Sequence, residues 1–354
     1  MKSVFLETHN IKNLASGFGI FNYELIKAFA KLNPEDLELT LNLKHPGKLK
    51  KEFGNRFKYN RYTPLQRQNW WGVLGKYDVW HCMNQNIRIE PISKPKKYIL
   101  TVHDVNFVED VNVKANAGRH ERFKKKLKRA DLITYISEYA RQQTHQYFQV
   151  PQHIEEKIIY NGNPITEILD TSKYLPEVPV DLPYFYSIGD FLEKKNFAAL
   201  VRMMQFIPDH RLIISGNTQK SYGETIKNLI KEHHLEERVF LTERVSETGK
   251  QYFMQNAKAF LFPSVGEGFG LPPIEAMRFG KPVFLSTFAS LPEVGGEAAY
   301  YWQNFEPEYM KDFLFEKLEE FNRDSENWVK KLKERAGYFS WDKAAREYLD
   351  CYRS

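Results

Sequence analysis

Short apolar runs alternate with longer amphipathic stretches along most of the chain. In the first half, VFLET is followed by GIFNYELIKAFAKL, and KKYILTVHDV is followed by ERFKKKLKRA. The second half shows the same order, with YFYSIGD, KNFAALVRMMQFI, HRLIISG and GETIKNLIKEHH in succession. Short continuous apolar runs are typical of buried strands, and the longer period that follows them is typical of amphipathic helices. The alternation therefore predicts an α/β fold with parallel sheets.

Residues 161–184 interrupt this alternation. The segment NGNPITEILDTSKYLPEVPVDLPY contains four prolines and has no clear period, which is typical of an interdomain linker. We therefore expect two α/β domains, residues 1–165 and residues 166–340. After them, WDKAAREYLDCY (residues 341–352) predicts a helix with one apolar face. Four residues make up that face: Trp341, Ala345, Tyr348 and Tyr352.

The composition is that of a folded globular chain. Of the 354 residues, 42% are hydrophobic and 15% are aromatic, which argues against disorder. Cys82 and Cys351 lie far apart and lack metal-ligand spacing, so we expect reduced thiols in a cytoplasmic protein. The start MKSVFLETHNIKN lacks the apolar segment of a signal peptide. No apolar run of about 18 residues predicts a transmembrane helix.

Charge is distributed unevenly along the chain. Residues 1–170 contain 27 Lys and Arg against 18 Asp and Glu, whereas the remainder contains 24 against 27. Six basic residues cluster on one predicted helix: Arg122, Lys124, Lys125, Lys126, Lys128 and Arg129. Such a cluster can bind anionic lipid headgroups, and a solvated helix face is the alternative. No nucleic-acid partner is expected, because the aromatic and basic residues do not form one interleaved platform.

Two strand-to-helix junctions in the first half carry candidate ligand contacts, because ligands of parallel sheets bind where strands end and helices begin. In ASGFGIFNYEL, Gly17 and Gly19 would let backbone N–H groups approach a phosphate or a sugar. Asn22 departs from a full G-x-G-x-x-G, so a structural turn is the alternative. In YILTVHDVNF, His103 and Asp104 close a strand, where they could meet a ligand; a structural histidine is the alternative.

A third junction, YSIGDFLEKKNFAAL, places a lysine at a helix start. Gly189 ends the predicted strand, and Lys195 and Asn196 precede or begin the helix. A cation is unfavourable near the positive end of a helix dipole, and a bound anion would relieve this. An exposed loop lysine is the alternative.

The fourth junction, VGEGFGLPPIEAMRFGKPV, contains two glutamates eight positions apart. Proline is tolerated in a first helical turn, so LPPIEAMRFG predicts a helix with Glu275 in its first turn and Glu267 in the preceding loop. Gly268, Phe269 and Gly270 would present backbone amides between them. This layout suits a ligand with hydroxyls at both ends and a charged centre, such as a nucleotide sugar. A helix-capping role is the alternative for Glu275.

The same stretch resembles the E-x7-E signature of retaining glycosyltransferases of family 4. The resemblance extends over nearly the whole chain and includes ASGFGIFNYELIKAF, LTVHDV, ADLITYISEYAR, IGDFLEKKNFAALV, SLPEVGGEAA and FSWDKAAREYL in order. It implies the GT-B fold, with two Rossmann-like parallel-sheet domains facing across a cleft. The first domain would bind the acceptor and the second the nucleotide sugar. The C-terminal helix, residues 341–354, would cross back to the first domain.

The resemblance also implies residue roles. Glu267 would contact the donor sugar near the reacting carbon, His103 would touch the sugar from the N-terminal side, and Glu275 would accept from the ribose hydroxyls. Lys195 would pair with the diphosphate. The other implied donor contacts are Gly17, Gly19, Gly189, Arg244, Val245, Gly268, Phe269, Gly270 and Leu271. Asp190 departs from the pattern, because many relatives carry Arg there as a second diphosphate cation.

The implied reaction is transfer of a hexose from a nucleotide sugar to a hydroxyl, with retention at the anomeric carbon. Mannosyltransferase-like members are the nearest in motif, so GDP-mannose is the first candidate donor. The acceptor would be a glycan or a lipid-linked glycan in cell-surface polysaccharide biosynthesis, with the enzyme cytoplasmic or peripheral on the inner membrane face. No Asp-x-Asp motif occurs, so we expect neither a metal nor another cofactor.

Several alternatives fit the same sequence. UDP-glucose, UDP-N-acetylglucosamine or a deoxyhexose nucleotide could replace GDP-mannose as the donor. A nucleotide-sugar epimerase on the same fold would convert the donor without an acceptor. A glycogen-type phosphorylase would require a lysine site for pyridoxal phosphate, which we do not find. A non-catalytic scaffold that binds glycans or nucleotides is the alternative from another class.

Overall fold

The computed structural model describes residues 1–14, 16–67, 72–108 and 113–354. These residues form two compact units. The first unit comprises Met1–Pro164 together with Ser340–Ser354, and the second comprises Ile165–Phe339. The chain passes from one to the other within the proline-rich segment.

In the first unit, the described residues form a seven-stranded sheet in which all paired strands are parallel. The strands are β1 (Lys2–Leu6), β2 (Leu37–Leu43), β3 (Lys58–Arg61), β4 (Val79–Cys82), β5 (Lys97–Val102), β6 (Leu132–Tyr135) and β7 (Glu155–Ile158). Their spatial order is β3-β2-β1-β4-β5-β6-β7. The order therefore reverses between β1 and β4, and ligands of such sheets bind at that position.

The described residues of the first unit form four α-helices before the proline-rich segment: α1 (Gly17–Leu32), α2 (Pro46–Phe53), α3 (Val113–Arg129) and α4 (Glu138–Tyr147). The apolar strand residues are buried beneath them, and the stacked rings of Phe5 and Trp80, 4.1 Å apart, lie at the centre of the sheet. This burial explains why the strands appear in the sequence as continuous apolar runs.

In the second unit, six strands form a second parallel sheet. They are β8 (Tyr184–Ile188), β9 (Arg211–Ser215), β10 (Val239–Thr242), β11 (Ala259–Phe262), β12 (Val283–Ser286) and β13 (Tyr300–Trp302). The spatial order β10-β9-β8-β11-β12-β13 reverses between β8 and β11. The carboxyl ends of β8 and β11 are therefore neighbours, which brings the third and fourth sequence junctions together.

The helices of the second unit cover this sheet. They are α5 (Phe197–Met203), α6 (Ser221–Glu232), α7 (Glu247–Asn256), α8 (Leu271–Arg278), α9 (Leu291–Gly295), α10 (Pro307–Arg323) and α11 (Ser325–Tyr338). None of the helices in the described ranges has the length and apolar character required to span a membrane.

The last helix, α12 (Trp341–Arg353), belongs to the first unit and packs against α1. All four residues of its predicted apolar face are buried. Its Tyr352 hydroxyl lies 2.7 Å from Nδ1 of His81, and its Tyr348 hydroxyl lies 3.2 Å from Oγ1 of Thr101. The predicted fold class, with two parallel-sheet α/β units and a C-terminal helix that returns to the first, is confirmed.

Candidate active site

Lys195 and Glu267 form an ion pair where β8 and β11 end. Nζ of Lys195 lies 2.5 Å from Oε1 of Glu267, and the two side chains are only 12% and 13% exposed. The hydroxyl of Ser264 donates to the same carboxylate oxygen at 2.6 Å. Lys195 ends a short turn before α5, and its ammonium lies 4.8 Å from the centre of the Phe262 ring. The structure thus brings together two residues that are 72 positions apart in sequence.

The environment keeps Glu267 ionised. Burial opposes ionisation, but the charges of Lys195 and Lys194 and the hydrogen bonds from Lys195 and Ser264 outweigh it. The net effect is a pKa of Glu267 below its ordinary value. At neutral pH the site therefore holds a carboxylate that can accept hydrogen bonds from hydroxyl groups, beside a cation that can pair with a phosphate.

The loop between β11 and α8 is fixed by its own backbone and by one serine. Gly270 precedes α8 with φ of 103°, a left-handed conformation that favours glycine. The hydroxyl of Ser290 donates to the carbonyls of Glu267 and Phe269 at 3.0 and 2.7 Å. Leu271 is the first helical residue, so the amides of residues 268–271 lie at the start of α8.

Glu275 lies one turn deeper in α8 than the sequence predicted. The helix begins at Leu271, which places Glu275 in the second turn rather than the first, so the dipole argument does not apply to it. Its carboxylate is buried and accepts a hydrogen bond from Lys250 at 3.0 Å. Burial disfavours the charged Lys250 ammonium, but the charges of Glu275 and Glu247 outweigh this effect and raise its pKa.

Gly189 and Asp190 follow β8, beside Lys195 of the Lys195–Glu267 pair. A Cβ at position 189 would lie 3.2 Å from Cε of Lys195, so glycine leaves room for the lysine. Asp190 accepts hydrogen bonds from Arg244 at 2.9 Å and Lys220 at 3.1 Å. Burial opposes ionisation of Asp190, and these two cations outweigh it and lower its pKa. Asp190 therefore pairs with two cations. Val245, which follows Arg244 in sequence, is partly buried and packs against the hydrophobic core of the second unit.

In the first unit, His103 is buried where β5 ends. Its Nε2 donates to the Met83 carbonyl at 3.0 Å, and burial lowers its pKa to about 4, so the ring is neutral at pH 7. The rings of Phe18 and Phe21 lie 4.8 and 4.6 Å from it. Since Phe18 belongs to the first turn of α1, the first two sequence junctions meet here.

Gly17 and Gly19 differ in what they do. Both lie inside the first turn of α1, which begins one residue after Ser16; Ala15 of the same motif lies outside the described residues. A Cβ at position 19 would lie 1.9 Å from the Asn13 carbonyl oxygen, so Gly19 is required by packing. A Cβ at position 17 would meet no described atom within 4 Å, which leaves that backbone open to a ligand.

The basic stretch of α3 is not one uniform surface. Lys126, proposed as a membrane contact, is 3% exposed, and its ammonium lies 2.5 Å from Oε1 of Glu90. It therefore cannot belong to an exposed membrane-binding face. Arg129 also pairs with Glu90, at 3.2 Å, whereas Lys124 pairs with Glu121 at 3.3 Å.

The sequence reasoning missed several polar partners. Within the second unit these are Ser264, Ser290, Lys250 and Lys220, which have no distinctive local pattern. In the first unit, Glu7 is fully buried and lies 2.8 Å from Nδ1 of His9. The strand-end rule applied to His103 would have found this pair, because ETHN directly follows the apolar run of β1.

Within the described ranges, no three His, Cys, Asp or Glu side chains are grouped as a metal site. The donor-binding roles of the residues above stay predictions.

Comparisons with known proteins relate this geometry to a class. Residues 175–336 match the family of glycosyl transferases group 1. The chain is 24% identical to O-antigen chain mannosyltransferase B of Escherichia coli, with all of both chains covered. It is 26% identical to the serotype-specific mannosyltransferase WbdA of Escherichia coli over 75% of this chain and 34% of that protein. WbdA is therefore much the longer of the two.

A solved structure agrees in fold over almost the full length. HepE of Anabaena, solved in complex with UDP, superposes with a TM-score of 0.74 at 16% identity and covers 99% of both chains. Together, the two parallel-sheet units, the group 1 match and these relatives support a glycosyltransferase with the GT-B fold.

Proposed function

We propose that this protein transfers a hexose from a nucleotide sugar to a hydroxyl of a glycan or lipid-linked glycan, with retention at the anomeric carbon. The observation that carries the proposal is the Lys195–Glu267 ion pair, which lies at the reversal point of the second sheet. It offers a cation and a hydroxyl acceptor side by side, as a sugar diphosphate requires.

The proposed chemistry needs stabilisation of a departing diphosphate. The transition state resembles an oxocarbenium ion, and the leaving group gains negative charge as the bond to the sugar breaks. In this proposal, Lys195 and the amides at the start of α8 stabilise that charge. Glu267 accepts hydrogen bonds from hydroxyls of the donor sugar, and Glu275 accepts hydrogen bonds from hydroxyls of the ribose. The departing phosphate takes the proton of the attacking hydroxyl, so no protein base is needed.

Mannose from GDP-mannose is the first candidate donor, supported by the names of the relatives in Escherichia coli. A uridine nucleotide sugar is the second candidate, supported by the UDP complex of HepE. A thermal-shift screen with UDP, GDP, dTDP and ADP, then with their sugars, separates them, because a ligand bound to the folded state raises the melting temperature. GDP and GDP-mannose should give the largest shifts. Absence of any shift at millimolar nucleotide would contradict the proposal.

Chelation should leave the activity intact. Because lysine and amides supply the positive field in this proposal, EDTA should change the transfer rate by less than about twofold. The measurement is nucleotide release from the selected donor with and without EDTA. A loss of more than about tenfold that magnesium or manganese restores would show that a metal carries this role.

Replacing Asp190 by Asn should tighten nucleotide binding. The change removes the negative charge that holds Lys220 and Arg244, beside the turn that carries Lys195. We expect GDP to bind about fivefold more tightly at low salt, a gain of about 1 kcal/mol for one partly solvated charge. Calorimetric titration measures it, and the exposed Asp209→Asn gives the same charge change elsewhere in the unit. Weaker GDP binding in Asp190→Asn would mean that the carboxylate itself contacts the ligand.

We also propose that the protein works at the inner membrane face through the exposed residues Lys124, Lys125 and Lys128. Sedimentation with anionic liposomes at low salt tests this, and a protein that stays in the supernatant would contradict it.

A further inference from the structure

A cationic cavity of about 710 Å³ lies in the first unit, whereas the Lys195–Glu267 pair belongs to the second unit. Six basic side chains line it: Arg67, Arg88, Arg122, Lys125, Lys126 and Arg129. Glu90 is the acidic residue of the lining, so positive charge is in large excess. Four of the six come from α3 at positions spaced by three, four and seven residues, which places them on one face of the helix.

The carboxylate of Glu90 already pairs with two of the six basic side chains. Glu90 accepts from Lys126 at 2.5 Å and from Arg129 at 3.2 Å, and the Tyr98 hydroxyl donates to it at 3.0 Å. Among the residues that the structure describes, no carboxylate lies within ion-pair distance of Arg67, Arg88, Arg122 or Lys125. These four cations therefore face the cavity without a described counter-charge.

Holding several positive charges close together costs free energy. Arg122 is half-buried, and burial together with the charges of Arg88 and Arg119 lowers its pKa. Like charges held together in this way are stabilised by a multiply charged anion. Arginine forks match phosphate oxygens in bidentate geometry, and a phosphate or diphosphate brings more charge than a single carboxylate.

A second, adjoining cavity indicates what is attached to the anion. It has a volume of about 390 Å³ and shares Arg67, Ile87 and Arg88 with the first. Its other lining side chains include the uncharged amides of Asn10, Asn84 and Asn86, and His9, which Glu7 holds at 2.8 Å. Amides and an imidazole suit sugar hydroxyls, which both donate and accept hydrogen bonds.

We propose that these joined cavities bind the phosphate or diphosphate group of a phosphorylated sugar, with the anion among the four free cations and the sugar in the smaller hollow. The inference rests on the proposed function in one respect: it makes this phosphorylated sugar the acceptor. The volume of each cavity lies within the size range of small-molecule sites, and the two together exceed what a free phosphate ion would fill.

The test is calorimetric titration of pyrophosphate into the full chain and a set of charge variants. In Arg88→Gln/Arg122→Gln, the dissociation constant should rise at least about tenfold, since two charge-assisted contacts are lost. The matched control, Lys124→Gln/Lys128→Gln, also removes two positive charges, neither of them from the cavity lining, and its dissociation constant should stay within about twofold of the wild type. Arg88 is exposed, and removing repelling charges should leave the melting temperature at low salt unchanged or higher.

Lys195→Gln separates this cavity from the other phosphate site. Lys195→Gln should weaken pyrophosphate binding at the ion pair of the second unit, and the binding that this variant retains should be the part that Arg88→Gln/Arg122→Gln weakens. Loss of binding in Lys195→Gln alone, or equal weakening in both double variants, would overturn the proposal. The titration needs neither donor nor turnover, so its outcome is independent of whether sugar transfer is observed.

Decyl diphosphate in detergent distinguishes the sources of the phosphate. Tighter binding than pyrophosphate, lost in Arg88→Gln/Arg122→Gln, would support a lipid-linked sugar diphosphate. Equal affinity, lost in the same variant, would support a soluble phosphorylated sugar. Binding of decyl diphosphate that this variant leaves unchanged would contradict the cavity as its site.

Discussion

Glu267→Gln should lower kcat/KM for sugar transfer by about 10²–10³-fold, the usual effect of removing one preorganised charged contact from a reacting centre. Glutamine keeps the size of the side chain but cannot carry the charge that pairs with Lys195 at 2.5 Å. The sugar then loses a strong hydroxyl acceptor, and the ammonium loses the group that positions it. The rate of nucleotide release from the donor measures the effect.

The control and the coupling test use the same assay. Glu236→Gln changes an exposed glutamate of the second unit and should leave the rate unaltered. Lys195→Gln should also lower the rate of nucleotide release by about 10²-fold. The double variant should lower the rate by less than the product of the two single effects, because residues in one ion pair are not independent. Wild-type rates in both single variants would show that the reacting centre lies elsewhere.

Trp341→Ala should destabilise the first unit by about 3–5 kcal/mol, the usual cost of truncating a buried tryptophan. Its indole is 4% exposed and lies 5.8 Å from the ring of Phe21 on α1. Gly162 packs directly on it, since a Cβ there would lie 2.4 Å from Cγ of the indole. The loss should lower the melting temperature of this unit by roughly 10 °C, measured by calorimetry.

Arg346→Ala provides the comparison on the same helix. Arg346 is exposed, so its removal should change the free energy of unfolding by no more than about 0.5 kcal/mol. Trp341→Phe keeps most of the packing, so its loss of unfolding free energy should lie between those of Trp341→Ala and Arg346→Ala. A Trp341→Ala protein that melts within about 2 °C of the wild type would contradict the docking of α12 on α1.

The alternation of apolar and amphipathic segments was sufficient to predict two parallel-sheet α/β units, whereas the return of α12 to the first unit was expected only from the family resemblance. Strands such as β5 and β8 are buried on both faces, so they are visible as continuous apolar runs. The apolar face of α12 was equally local, because Trp341, Tyr348 and Tyr352 recur at helical spacing. Patterns of this kind depend only on residues close together in sequence.

The loops that carry the candidate site were predictable for the same reason, whereas their ion pairs were not. Lys195 meets Glu267 across 72 positions, and Lys250 meets Glu275 across 25, so the pairing depends on strand order. The error for Glu275 was one helical turn, because the double proline does not reveal whether the helix begins at Leu271 or later.

The contacts of the basic residues on α3 could not be predicted from the sequence either. Six cations between positions 122 and 129 looked like one surface in the sequence. The fold sends Lys126 inward to Glu90, 36 residues away, and leaves Lys124 and Lys128 outside the cavity lining. Only the arrangement of α3 against the segment that carries Glu90 decides which side each lysine faces.

Nucleotide release from GDP-mannose and from the uridine sugars, measured with the wild type and Glu267→Gln side by side, tests the central claim most directly. Slow hydrolysis by water needs no knowledge of the acceptor. The account predicts that the wild type releases nucleotide from at least one donor, and that Glu267→Gln does so at least about 100-fold more slowly. Equal rates in the two proteins, or no release from any donor, would contradict it.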